Sequence, residues 1–127
     1  KGYIAPEWVF NLPITSKVDV YSYGIVVLEL LTGRSPVEGR SMEESTSAME
    51  PRRLVTWVKE KMHEANGRAS QTAIAKIVDP AVSAEFDVAR AEILVQVALQ
   101  CLEEDKDARP TMSRVVDTLL HQESDEY

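Results

Sequence analysis

Ser16-Lys17-Val18-Asp19-Val20-Tyr21-Ser22-Tyr23-Gly24-Ile25-Val26-Val27-Leu28-Glu29-Leu30-Leu31-Thr32-Gly33 reads as a single helix with its own start and stop. Ser16 can cap the N-terminus with Asp19 three positions on, and Gly33 supplies the C-terminal stop. Between these signals Val18, Val20, Tyr21, Tyr23, Ile25, Val26, Val27, Leu28, Leu30 and Leu31 cover every face. A helix that is apolar all round is a central, buried one. The rest of the structure must therefore wrap around it.

The flanking segments supply amphipathic helices for that purpose. Leu54 to Ala65 places Leu54, Trp57, Val58, Met62 and Ala65 on one helical face, and Asn66-Gly67 ends it. Ala89 to Glu104 carries Leu94, Val97, Ala98 and Cys101 as one stripe, broadened by Ile93, Val95, Leu99 and Leu102. Thr111 opens a last helix whose face is Met112, Val115, Val116, Leu119 and Leu120, while Arg114 at the third position cannot return the reciprocal bond of a capping box. Gly33 to Arg53 is polar, rich in Ser and Glu and interrupted by Pro36 and Pro51, so it reads as a surface loop. Ala69 to Asp87 reads as an irregular connector with one apolar patch, Ile74 to Val78, before the breaking step Asp79-Pro80; it has room for a short helical turn. Glu123 to Tyr127 is an acidic, fraying end. With no repeat and no convincing strand, the chain is expected to be all-α.

With 127 residues and 44% hydrophobic content, the chain suits one small domain or a piece of a larger one. A net charge of -7 with scattered basic residues speaks against nucleic acid or an anionic membrane surface as the main partner. The longest apolar runs, Val20 to Leu28 and Ile93 to Leu102, are about half of the roughly 20 residues needed to cross a bilayer, so no direct membrane insertion is expected. The start at Lys1-Gly2 lacks both an initiator Met and the layout of a signal peptide, as in a chain entered in its middle. Cys101 stands alone inside an apolar run and reads as a small buried hydrophobe in a reducing compartment. His63 and His121 fall on different helices and make no metal set, and Trp57 belongs to a core stripe. The Ser35-Pro36 step and the segment around Glu43-Glu44 could be modified by other kinases, but a solvated loop is the plainer reading.

Three blocks, in this order and spacing, resemble the second half of a eukaryotic protein kinase domain. Gly2-Tyr3-Ile4-Ala5-Pro6-Glu7-Trp8 is similar to the substrate-receiving loop and the Ala-Pro-Glu triplet that closes the activation segment. Asp19-Val20-Tyr21-Ser22-Tyr23-Gly24 is similar to the start of the family's central helix, and Cys101-Leu102 through Asp107-Ala108-Arg109-Pro110-Thr111-Met112 to the loop before its final helix. Leu28-Glu29-Leu30-Leu31-Thr32-Gly33-Arg34 and Ile77-Val78-Asp79-Pro80 resemble plant receptor-like serine/threonine kinases. Pro6-Glu7-Trp8-Val9 and Leu12-Pro13-Ile14-Thr15-Ser16-Lys17 resemble their lectin S-receptor-like type. The resemblance implies an all-α fragment, the latter part of the helical C-lobe of the protein-kinase-like α+β fold. Residues 1–121 would belong to that partial kinase domain and residues 122–127 to an acidic tail.

The same resemblance assigns roles. Glu7 and Arg109 would form a structural ion pair tying the activation segment to the core, where two solvated charges would be the plainer reading. Asp19 would anchor the central helix through the catalytic-loop backbone, beside its simpler role as a first-turn acid. Gly2, Tyr3, Ile4 and Ala5 would line the place of the substrate residue after the phosphoacceptor. Tyr3 is in addition a candidate phosphosite, with plain packing as the competing reading. Thr15 matches no catalytic position and is expected to be exposed near the cap.

No Gly-x-Gly-x-x-Gly, His-Arg-Asp or Asp-Phe-Gly occurs between Lys1 and Tyr127, so no catalytic, cofactor-binding or metal residue is assigned here. ATP and Mg belong to the expected parent kinase, whose partners would be protein substrates, signalling proteins and the rest of the kinase domain. Such a parent would place this region on the cytoplasmic side of the plasma membrane. The competing expectation is a non-catalytic interaction module or decoy derived from the lobe. In either case the central helix lacks its covering elements, which predicts a weakly folded, self-associating chain.

Overall fold

The computed structural model describes residues 3–34, 50–65, 70–84 and 87–124. Among these residues every regular element is helical. In chain order they are α1 (Pro6–Val9), α2 (Lys17–Thr32), α3 (Glu50–Ala65), α4 (Ser70–Ile77), α5 (Pro80–Ser83), α6 (Val88–Cys101), a 3-10 turn (Lys106–Ala108) and α7 (Met112–Ser124).

The central helix is α2. It packs chiefly against α6 and touches α3 and the 3-10 turn; α4 is wedged against α3 and α6, and α7 leans on α6. Ile25 and Leu28 of α2, Val58 of α3 and Val95 and Ala98 of α6 have no exposed surface. A second apolar cluster joins Val20, Val97, Cys101 and Val115 from α2, α6 and α7. Burial there pushes the Cys101 thiol up to about 11, so at neutral pH it behaves as the small hydrophobe expected. The close approach of α2 to α6 depends on Gly24: a Cβ at that position would lie 2.9 Å from the Ala98 carbonyl oxygen and 2.9 Å from Leu102 Cγ.

Several boundaries differ from the sequence expectation, each for a local reason. Ser16 lies in helical conformation and its side chain caps nothing. The Thr15 hydroxyl, exposed as expected, accepts instead from the Lys17 N–H at 3.2 Å. Helix α3 begins at Glu50, inside the expected loop, because Pro51 falls in the first turn, where a missing N–H breaks no intrahelical bond. The expected stop at Asn66-Gly67 and most of the expected loop lie outside the described residues. The connector from 69 to 87 holds two helices: α4 buries Ala73, Ile74 and Ile77, and Asp79 caps α5 by accepting from the Ala81 N–H at 3.0 Å. Helix α6 starts behind the Asp87 cap and stops at Cys101, short of Glu104. Helix α7 opens as expected at Thr111, whose hydroxyl accepts from the Arg114 N–H at 3.2 Å, and it continues to Ser124 into the stretch read as a tail.

Gly33 ends α2 in left-handed conformation, φ 71°, with its N–H donating to the Glu29 carbonyl at 2.9 Å. The Asp79 N–H donates to the Leu31 carbonyl at 2.8 Å, tying the end of α2 to the start of α5. The all-round burial expected of α2 holds on the sides facing α3 and α6. Val26 remains 40% and Leu30 69% exposed.

Candidate functional site

Glu7 enters the interior on the short helix α1, which Pro6 can start because its ring presets φ and its lost N–H would have no partner. Arg109 enters from the opposite end of the chain, just after the 3-10 turn. The two side chains are 2% and 0% exposed. They meet fork to fork: Arg109 Nη1 donates to Glu7 Oε2 at 2.7 Å and Nη2 to Oε1 at 2.9 Å. The remaining guanidinium donors reach the carbonyls of Glu103 at 2.7 Å, Lys17 at 3.0 Å and Glu104 at 3.2 Å. All five N–H groups of the guanidinium thus have an acceptor. The Glu103 and Glu104 carbonyls, just past the end of α6, are thus turned to Arg109.

Two further contacts close the arrangement. The Tyr21 ring lies under the guanidinium, 5.0 Å from centroid to Cζ. Lys17 Nζ donates to the Arg109 carbonyl at 2.8 Å and to the Lys106 carbonyl at 3.2 Å. Hydrogen bonding to Arg109 holds the Glu7 carboxyl below its ordinary value, against the upward push of burial. The result joins the first helix, the start of α2 and the turn before α7 through one buried charge pair.

The segment before α1 lies along α2. The Tyr3 hydroxyl donates to Glu29 Oε1 at 2.6 Å, and the Ser22 hydroxyl donates to the Tyr3 carbonyl at 2.7 Å. Tyr3 is half-buried against the core, Ile4 is 45% exposed and Ala5 is fully buried. Gly2 lies outside the described residues. Asp19 is exposed on the first turn of α2. Sequence motifs pointed to Glu7, Arg109 and Tyr3; no spacing rule pointed to Glu29, Ser22, Lys17 or the carbonyls that complete the guanidinium shell.

Among the described residues no three carboxylate, His or Cys groups gather where a metal could sit. An open cleft of about 530 Å³ beside Gln100, Thr111, Arg114 and Thr118 has no carboxylate in its lining.

Residues 1–120 match the family described as protein kinase domain. The chain belongs to the protein kinase domain family. Its kinase fold is supported by the pseudokinase domain of BIR2, described as an immune regulator of the RLK/Pelle family: TM-score 0.71, 28% identity, over 99% of this chain and 34% of that one. The all-α architecture is accordingly the helical C-lobe of the kinase fold.

Among kinase sequences, the chain is 44% identical over 119 residues to ZmPK1 of Zea mays, which carries a receptor-protein-kinase name. It is 39% identical over 118 residues to the serine/threonine-protein kinase PBL36 of Arabidopsis thaliana. It is 40% identical over 119 residues to the G-type lectin S-receptor-like serine/threonine-protein kinase LECRK3 of Oryza sativa subsp. indica. These matches take in 93 to 94% of this chain and only 13 to 22% of the relatives' length. The similarity to plant receptor-like kinases, with the lectin S-receptor-like type among them, agrees with the sequence reading.

Proposed function

We propose that this chain is the substrate-side part of a receptor-like serine/threonine kinase, whose whole polypeptide transfers the γ-phosphoryl group of Mg-ATP to protein Ser or Thr. The observation that supports this is the buried Glu7–Arg109 pair, which on this reading holds the end of the activation segment on the helical core. On this reading residues 1–121 are the kinase part and the last six residues a tail. Tyr3, Ile4 and Ala5, with Gly2, form the loop that meets the substrate beside its phosphoacceptor. Asp19, exposed at the head of α2, is free to receive a catalytic-loop backbone supplied from outside these residues. Tyr3 is proposed as a phosphosite as well; a phosphate there cannot donate to Glu29 and sets like charge against it. Protein substrates and the remaining kinase elements are the proposed partners, at the cytoplasmic face of a plasma membrane. No helix among the described residues is long and apolar enough to cross a membrane.

Catalysis on this reading belongs to the parent alone, since the chain holds neither the phosphate-covering loop nor the metal-binding aspartate. Purified 127-residue chain incubated with Mg and γ-labelled ATP is expected to transfer no label to casein, while the parent polypeptide does. Transfer by the pure chain would overturn the inactive assignment, and a parent without transfer would favour the non-catalytic module.

A further inference from the structure

We infer that Lys17 is a positioning residue for the Glu7–Arg109 pair, fixing the Arg109 backbone and, through the pair, the end of the activation segment; the inference rests on the reading of this chain as the substrate side of a kinase. Arg109 follows a 3-10 turn of three residues, closed by a bond from the Arg109 N–H to the Lys106 carbonyl at 3.2 Å. Such turns are short and their hydrogen-bond geometry is poor. Pro110, which comes next, has no N–H with which to fasten the chain on the other side. The turn by itself therefore sets the direction of the Arg109 side chain only loosely. Glu7 needs that direction set closely, because its two carboxylate oxygens meet two guanidinium nitrogens at 2.7 and 2.9 Å inside the core.

Lys17, the first residue of α2, supplies the missing fastening. Its Nζ donates to the Lys106 carbonyl at 3.2 Å and to the Arg109 carbonyl at 2.8 Å, so it spans the turn from its first residue to the one after its last. The tie is reciprocal: Arg109 Nη1 donates back to the Lys17 carbonyl at 3.0 Å. One turn further along α2, the Tyr21 ring lies under the guanidinium. Lys17 is itself held, since its N–H donates to the Thr15 hydroxyl at 3.2 Å. A half-buried ammonium donating to carbonyls makes charge-assisted bonds, and a compact cation with three rotatable donors can serve two acceptors at once. Ile4 and Ala5 lie only a few residues before Glu7. A segment held in one conformation before substrate arrives loses less freedom on binding, so Lys17 is expected to act on protein-substrate affinity and leave nucleotide affinity alone.

Lys17→Met, which keeps the stem and removes the donors, and Lys17→Arg, which keeps donors, test this. In the 127-residue chain, amide hydrogen exchange of the 3-10 turn and Arg109 is followed by mass spectrometry, with α3 as internal reference. Lys17→Met is expected to speed exchange in the turn about tenfold and leave α3 unchanged, and Lys17→Arg to speed it about twofold or less. In the parent polypeptide, with dephosphorylated casein as probe, Lys17→Met is expected to raise the casein KM about three- to tenfold at unchanged ATP KM. Added to Glu7→Gln, which has already lost the ion pair, the same change is expected to raise it by less than about twofold further. Unchanged exchange in the turn, or exchange rising equally in α3, overturns the fastening. Faster exchange in the turn overturns the positioning role if the casein KM is unchanged, if both KM values move together, or if Glu7→Gln leaves the casein effect undiminished. A parent that phosphorylates nothing removes the kinase reading and the positioning role with it, while the exchange still reports the fastening separately.

Discussion

Glu7 makes the stability of this chain pH-dependent in a defined direction. Its carboxyl is held below the ordinary value of 4.5 by hydrogen bonding to Arg109. A carboxyl depressed in the folded state contributes stability that is fully present above the unfolded pKa and is lost as pH falls through the folded one. Urea melts are therefore expected to show this contribution intact at neutral pH and declining once pH drops below 4.5. In Glu7→Gln that part of the decline should vanish. Glu7→Ala leaves the guanidinium charge buried with two unserved donors, and a loss of about 3 to 5 kcal/mol at neutral pH is expected. Arg109→Lys is expected to be damaging too, because an ammonium has three donors in the wrong geometry for five acceptors. At this scale the pair itself was legible, since both residues sit in recognisable blocks. The Glu103, Glu104 and Lys17 carbonyls were not, because backbone acceptors carry no residue signature.

Helices differ in how openly they announce themselves. Thr111 marks a start by side-chain chemistry that works locally and appears as a cap in the structure, whereas Asp79-Pro80 reads as a break and in fact opens α5, with Asp79 as its cap. Helix α4 is hidden because an apolar patch shorter than three turns looks the same in a helix as in a packed connector. Helix α3 begins earlier than its pattern implies because Pro51 reads as a loop signal and acts as a first-turn residue. Gly24 offers a test between local and tertiary control. Gly to Ala inside a helix normally stabilises by about 0.5 to 1 kcal/mol. Here the new methyl would meet the Ala98 carbonyl at 2.9 Å and Cys101 Cβ at 3.0 Å, and a helix backbone cannot move aside like a side-chain tip. Gly24→Ala is therefore expected to destabilise, by about 1 to 3 kcal/mol, read as a lower melting midpoint than that of the unaltered chain at the same concentration.

At the scale of the whole molecule, several large apolar side chains stand open among the described residues. Trp8, Val9, Phe10 and Leu12 are each more than half exposed around α1, as are Leu30 on α2 and Leu120 on α7. On the proposed reading other kinase elements cover part of this surface. The chain alone is expected to self-associate, with apparent mass rising with concentration in sedimentation equilibrium, and to melt over a broad range. A concentration-independent monomer with a sharp two-state melt is the contrary result.

What the sequence determined by itself is the set of decisions made by local chemistry: an apolar central helix ended by Gly33, amphipathic neighbours, and the three blocks that mark a kinase C-lobe. Tertiary structure decided which faces of α2 are buried and which groups meet Arg109 and Glu29. Those outcomes depend on atoms brought together from far apart, Tyr3 with Glu29 across 26 positions and Glu7 with Arg109 across 102. Side-chain periodicity reports a face within one element; only packing specifies what that face meets.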